Sequence, residues 1–257
     1  MLLLGLAVIV GPWLLPHRYD DTDWSALSQA PGWQGGHWFG TDDLGRDLLA
    51  RTLIGGRISM LVGVLGTLIA VVIGVAWGAI SGFAGGKVDA LMMRLVDVMY
   101  ALPFMLFAIL LMTFFGRSLL LMFVALGAIS WLDMARIVRG QTLSLKSREF
   151  VEAARALGVT RRALIMRHIV PNLLGVVAVY ATVTIPNVIL TESVLSFLGL
   201  GVQEPLTSWG VLVQEGQQNM SSAPWRLLIP AVFLSLTLYC ANFVGDGLRD
   251  ALDPKDR

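Results

Sequence analysis

Residues Ile58 to Gly86 read ISMLVGVLGTLIAVVIGVAWGAISGFAGG, without a charged side chain. At 1.5 Å per residue this run is long enough to cross the roughly 30 Å hydrocarbon layer of a bilayer. Inside lipid a chain must satisfy its own backbone hydrogen bonds, so the run is expected to be a helix. The gaps between charges elsewhere repeat the pattern. Val98–Gly116 and Leu227–Gly245 are uncharged, and His168–Thr191 is uncharged and continues past Glu192 to Leu200. Ser118–Leu132 reaches an interface only with Met134 and Ala135, beyond Asp133. Met1–Pro16 is apolar but short, and it lacks the basic start and the Ala-x-Ala-like site of a signal peptide. The expectation is an all-α membrane protein with six transmembrane helices, at residues 1–16 and about 58–84, 97–116, 118–136, 172–198 and 226–246.

Composition agrees. The chain has 257 residues, 56% hydrophobic and 14% charged, with a mean hydropathy of +0.71. A soluble domain has about 25% charged residues. Half that charge cannot clothe a single-core enzyme in water. The net charge of +1 argues against a nucleic-acid partner. Cys240 stands alone, and His17, His37 and His168 are scattered, so neither a disulfide framework nor a metal site is expected. Ser81–Val88 (SGFAGGKV) departs from a phosphate-binding loop at its first and last positions, so no ATP hydrolysis by this chain is expected.

Lys and Arg orient the spans. With both termini inside, the cytosolic side holds most of the 19 basic residues, including Arg136, Arg139, Lys146, Arg148, Arg155, Arg161, Arg162 and Arg167. Arg18, Arg46, Arg51, Arg57, Arg117 and Arg226 fall outside.

Three polar segments separate the spans. In the external segment 17–56, Trp24, Trp33 and Trp38 are expected to hold irregular structure. After it, Thr41 is read as the cap of an amphipathic helix at the outer interface. Leu44, Leu48, Leu49 and Leu53 form its apolar stripe, and Asp42–Arg46 and Asp47–Arg51 its i,i+4 pairs. That helix reads as an interfacial anchor or as part of a docking surface with Asp42, Asp43, Arg46, Asp47 and Trp209. The external loop 199–225 carries Trp209, Trp225, Pro205 and Pro224. The cytosolic loop 140–171 reads as a helix from about Leu145 to Leu157, a stop at Gly158, and a second helix from Thr160 to Ile169. The alanines at 153 and 154 would let another protein approach closely. A basic loop resting on anionic lipid is the alternative.

Glu152-Ala-Ala-Arg-Ala-Leu-Gly158, followed by His168-Ile-Val-Pro171-Asn172, resembles the EAA loop of importer-type ABC permeases. Gly40-Thr-Asp-Asp-Leu-Gly-Arg-Asp47, Leu195-Ser-Phe-Leu-Gly-Leu-Gly201 and Gly245-Asp-Gly-Leu-Arg-Asp-Ala-Leu-Asp-Pro254 extend the resemblance to the dipeptide and oligopeptide permeases, closest to the oligopeptide C subunit. Ser130-Trp-Leu-Asp133 and Arg136-Ile-Val-Arg-Gly-Gln-Thr142 favour that subunit. The resemblance runs from about Gly40 to Arg257. It implies the type I importer fold, with Glu152, Ala153, Ala154, Gly158, His168, Pro171 and Asn172 in the coupling loop. It also implies a homologous second permease subunit, two cytosolic ATPases that bind ATP and Mg, and a periplasmic peptide-binding protein. The location implied is a bacterial inner membrane. Such permeases usually carry a basic stretch before the first span, so a truncated or misassigned start is expected here.

A peptide needs a polar path through lipid. Thr184, Asn187 and Thr191 share one face of the fifth span; Glu192, and Tyr239 with Asn242 in the sixth, are further candidates. The bland alternative is hydrogen bonding between helices. Nickel and opine permeases share much of the pattern. An ion-driven secondary transporter would require internally repeated halves, and none is evident.

Overall fold

The computed structural model describes residues 1–116 and 118–252. Arg117, placed outside above, and residues 253–257 of the C-terminal tail lie outside the described residues. All described elements are helical; the extended pairing among them is an isolated bridge between Thr41 and Asp47.

Among the described residues, four helices are long and apolar enough to cross a membrane. They are α2 (Leu48–Ala84), α5 (Leu119–Leu145), α8 (Val170–Leu195) and α10 (Trp225–Leu252). The straight span expected at 97–116 is instead a broken pair, α3 (Gly86–Ala101) and α4 (Phe104–Phe115), bent by 79°. Pro103 is the cause: the residue before a proline is pushed out of the helical region, and Leu102 lies extended at φ −79°, ψ 129°. α1 (Leu2–Leu14) has only 13 residues. Two short helices, α6 (Glu149–Ala156) and α7 (Arg161–Leu164), precede α8, and α9 (Trp209–Gln218) lies inside the segment read as a loop.

α2 is the axis of the bundle, and glycine is the reason. Gly74, Gly78 and Gly82 recur every four residues and face α5. A Cβ at Gly78 would stand 2.5 Å from the Ala135 carbonyl oxygen, and one at Gly82 2.8 Å from that of Arg139. Small residues at this spacing let two helix backbones meet where lipid supplies no hydrophobic drive between them. Asp89 then ties the start of α3 to α5, accepting from Arg139 Nε and Nη2 at 2.6 Å each. Because the obstacle at Gly78 is backbone, Gly78→Val is expected to cost about 1–3 kcal/mol or more. A lowered unfolding midpoint in detergent would show it; an unchanged midpoint would mean the helices can separate freely.

α1 packs on α2 through buried Val8, against Leu53 and Trp209, and Arg57 adds a polar tie. Pro12 lies inside α1 and has no N–H to give the Val8 carbonyl four residues earlier. Arg57 of α2 supplies the missing donor, with Nε donating to Val8 O at 2.8 Å and Nη2 to Ile9 O, and its guanidinium lies 5.5 Å from the Trp13 ring centre.

Candidate functional site

At one end of the bundle α6 and α7 form a knob. The expected helix over 145–157 is in fact two: α5 runs through Leu145, the chain turns at Lys146–Arg148, and α6 starts at Glu149. Glu149 and Glu152 sit in the first turn of α6 and Arg155 in its last, the arrangement a helix dipole favours. Its end is a Schellman motif. Gly158 N–H donates to Arg155 O at 3.0 Å and Val159 N–H to Ala154 O at 3.1 Å, with Gly158 at φ +81°. Val151 and Ala154 are buried against Ala79, Met134, Val138, Leu164 and Ile169. Ala154 therefore seats the knob on the bundle and does not face outward as expected. Glu152, Ala153, Ala156 and Leu157 are exposed, Leu157 at 85%. Beyond the Thr160 cap, α7 passes through a π-turn at Ile165–Ile169 straight into α8. Pro171 occupies the first turn of α8, and Asn172 Nδ2 donates to His168 O at 2.6 Å. α7 and the long helix are thus continuous, with α6 joined to them through the turn at Gly158.

At the opposite end, segments 17–47 and 199–224 lock together. The amphipathic helix expected from Thr41 is absent. Gly45 (φ +74°) turns the chain, Thr41 bridges Asp47, and α2 begins only at Leu48, capped by Asp47 Oδ1 accepting from Ala50 N–H at 2.7 Å. A Cβ at Gly45 would strike the Asp23 carbonyl oxygen at 1.9 Å. The charges read as the polar face of that helix point inward. Buried Asp42 accepts from the Leu44 and Arg46 amides at 2.9 Å each, from Arg46 Nε at 2.7 Å and from Arg51 Nη1 at 2.6 Å. Arg51, 2% exposed, also forks onto Glu215 of α9 at 2.7 and 3.1 Å, and Arg46 reaches Glu204 at 2.9 Å. Asp47 pairs with His37 at 3.0 Å.

Trp209, expected on a docking surface, is fully buried. Its Nε1–H donates to Thr52 O at 2.9 Å, and its ring fills the space left by Gly56. Of the expected docking residues only Asp43 keeps an open side chain, 56% exposed, gripped by Arg226 of α10 with Nη2–Oδ2 at 2.8 Å. The Arg226 hydrogen bonds hold the Asp43 carboxyl below its ordinary value of 3.8. A lowered carboxyl stabilises the fold above its unfolded value, and the contribution disappears as pH falls through the folded one. The melting-temperature gap between wild type and Asp43→Asn is therefore expected at pH 7 and expected to narrow steadily as the pH is taken below 3.8. A gap that persists there would mean the pair does not hold the segment. Trp24, Trp33 and Trp38, expected to pin the segment, are exposed at 72%, 89% and 45%.

Glu192 sits between the ends, 0% exposed. Its Oε1 accepts from Ser196 at 2.6 Å and its Oε2 from Ser59 at 3.1 Å, while Ser59 Oγ accepts the Trp209 N–H at 3.2 Å. The carboxyl joins α2, the Ser196–Leu200 π-turn and α9, and within this protomer it is enclosed.

A family model described as binding-protein-dependent transport system inner membrane component matches residues 74–257. The chain belongs to that family. This permease is 60% identical to the oligopeptide transport system permease protein OppC of Haemophilus influenzae, over 97% of its own length and 80% of that protein's. It is 60% identical to OppC of Escherichia coli K12, over 100% and 85%, and 45% identical to the dipeptide permease protein DppC of Bacillus subtilis, over 100% and 80%. Its fold matches a chain of the inward-facing MetNI methionine ABC transporter, at 19% identity and a TM-score of 0.64, over 80% of this permease and 96% of that chain. The permease is thus a multi-pass inner-membrane protein with the type I importer fold.

The structure brings the candidate path residues to surfaces of the protomer, Glu192 excepted. Asn187 is exposed on α8, with Thr184 and Thr191 half-buried beside it; their hydroxyls donate back to Tyr180 O and Asn187 O at 2.7 Å. Tyr239 is 70% exposed on α10, and Asn242 is exposed, donating to Leu238 O at 3.0 Å. Sequence reading missed Glu204, Glu215 and Arg226, although Glu204 and Glu215 are the charges within an external segment that otherwise has none. Acids there and arginines in 17–57 were the available signal.

Proposed function

We propose that this permease is the subunit of an ATP-driven importer that carries peptides, of the oligopeptide class, handed over by a periplasmic binding protein. The observation that carries the reading is the knob. A short helix is fixed to the bundle by Val151 and Ala154, displays Glu152 and Ala153 outward, and is joined by the Gly158 turn to α7, which runs on into a spanning helix. That build transmits a push from a docked protein into the membrane. The 60% identity to proteins named oligopeptide permeases supports the substrate class.

On this reading the knob and both termini are cytosolic, and segments 17–47 and 199–224 are periplasmic. Glu152, Ala153 and Gly158 serve docking to one of two ATPase subunits, which bind ATP and Mg; Ala154 seats the knob, and His168, Pro171 and Asn172 form its unbroken junction with α8. A second, homologous permease closes the path. Exposed polar groups at membrane depth require water or a protein partner, so Thr184, Asn187, Thr191, Tyr239 and Asn242 face that path or the seam beside it. Trp24, Trp33, Trp38 and Met220 replace the buried charges as candidates for the binding-protein surface.

The test is ATP-dependent uptake of labelled di-, tri- and pentapeptides by vesicles holding the assembled transporter. Uptake that favours the longer peptides and stops without ATP supports the reading. Uptake confined to dipeptides would move it to the dipeptide class, and uptake driven by an ion gradient without ATP would end it.

A further inference from the structure

We propose that the groove between α1 and α2 binds one anionic phospholipid, with its headgroup against Arg57 and an acyl chain lying along α2. Arg57 is the charge at which the uncharged run Ile58–Gly86 begins, which sets its depth where hydrocarbon meets headgroups. The partners the structure gives it are neutral: the Val8 and Ile9 carbonyls and the Trp13 ring. Nη1 donates to no described group, so the guanidinium keeps both its charge and a free donor.

Two cavities meet at Arg57 and Trp13. One, of about 380 Å³, is shared with Arg18 and Tyr19. The other, of about 600 Å³, runs toward the membrane interior past Leu61 and Val64. A cavity that carries Arg18, Tyr19 and Arg57 on its wall, and shares Trp13 and Arg57 with an apolar groove, matches a molecule with a charged head and a hydrocarbon tail. A free phosphate would leave the groove empty. Arg18 is already paired with Asp20 at 3.2 Å, so the charge preference falls to Arg57. Trp13, 78% exposed and level with Arg57, is the side-chain type favoured at headgroup depth. The lipid would cover the face where Pro12 weakens α1.

The probe is phosphatidylglycerol competed against phosphatidylcholine, read by native mass spectrometry of the assembled transporter in detergent. Wild type is expected to retain phosphatidylglycerol about fivefold over phosphatidylcholine, the discrimination one basic side chain supplies at a membrane surface. Arg57→Gln is expected to abolish that preference. Because Arg57 also holds α1, Val64→Trp is the second arm: it fills the groove without touching the guanidinium and is expected to drop retention to background. Equal retention of the two lipids by wild type, or undiminished retention in Val64→Trp, overturns the proposal. So does displacement of the lipid by inorganic phosphate, or a cysteine at position 64 that cross-links to the second permease in place of lipid.

Discussion

Replacing Glu152 by Lys is expected to abolish ATP-driven uptake while leaving the permease folded and in the membrane. Glu152 is exposed in the first turn of α6, and the residues that seat the helix, Val151 and Ala154, lie on its other side. Reversing a charge at the positive end of a helix costs only about 0.3–1 kcal/mol of helix stability. Losing a charged hydrogen bond at a docked interface costs about 2–5 kcal/mol, or roughly thirty- to several-thousand-fold in affinity. The separation of these two scales makes the variant informative. Gly158→Pro reaches the same end differently: proline's fixed φ near −65° is incompatible with +81°, and it removes the N–H that donates to Arg155 O. Gly158→Ala keeps the N–H and carries only the left-handed cost of about 1–2 kcal/mol, so intermediate uptake is expected. The measurements are uptake, the amount of permease in the membrane, and the ATPase that co-purifies. Normal uptake with both Glu152→Lys and Gly158→Pro would remove the knob from the coupling role.

Asp42→Ala is expected to be the most damaging single change for stability. Its carboxylate accepts two amides and two guanidinium groups within the buried network, and its loss leaves Arg51 with Glu215 alone. Breaking a buried pair by removing one partner costs about 3–5 kcal/mol, a large share of a typical stability of about 5–15 kcal/mol. Asp43→Ala takes one carboxylate, itself 56% exposed, from the buried Arg226 and leaves the Asp42 network intact, so it is expected to cost less than Asp42→Ala. Unfolding midpoints in detergent, with protease nicking of segment 17–47, compare the two directly. A cost for Asp42→Ala no larger than that for Asp43→Ala would show that segments 17–47 and 199–224 are held by packing and not by charge. A double-mutant cycle of Asp42 with Arg51 isolates the pair.

The spans were legible because lipid selects on a running average of side-chain transfer energies. Ile58–Gly86 needs no partner to declare itself. Pro103 was equally visible, yet hydropathy does not register a bend, so one span was read where two half-helices stand. The Asp42–Arg46 and Asp47–Arg51 spacings suit a helix, and they misled because Gly40 and Gly45 within the same run demand turns. Gly158 was read correctly as a stop, since a left-handed residue after α6 is a local requirement. Ala154 was misjudged, since small size permits close approach on either side and sequence does not say which.

By itself, the sequence determined that this chain lives in a membrane, roughly where it crosses, and which family it resembles. Each follows from local composition or from a short ordered motif. Tertiary structure alone decided which polar groups face inward. Arg46 meets Glu204 across 158 positions, Arg51 meets Glu215 across 164, and Arg226 meets Asp43 across 183. A charge is stable inside only when its partner arrives, and arrival depends on how α2, α9 and α10 pack, which no window along the chain contains.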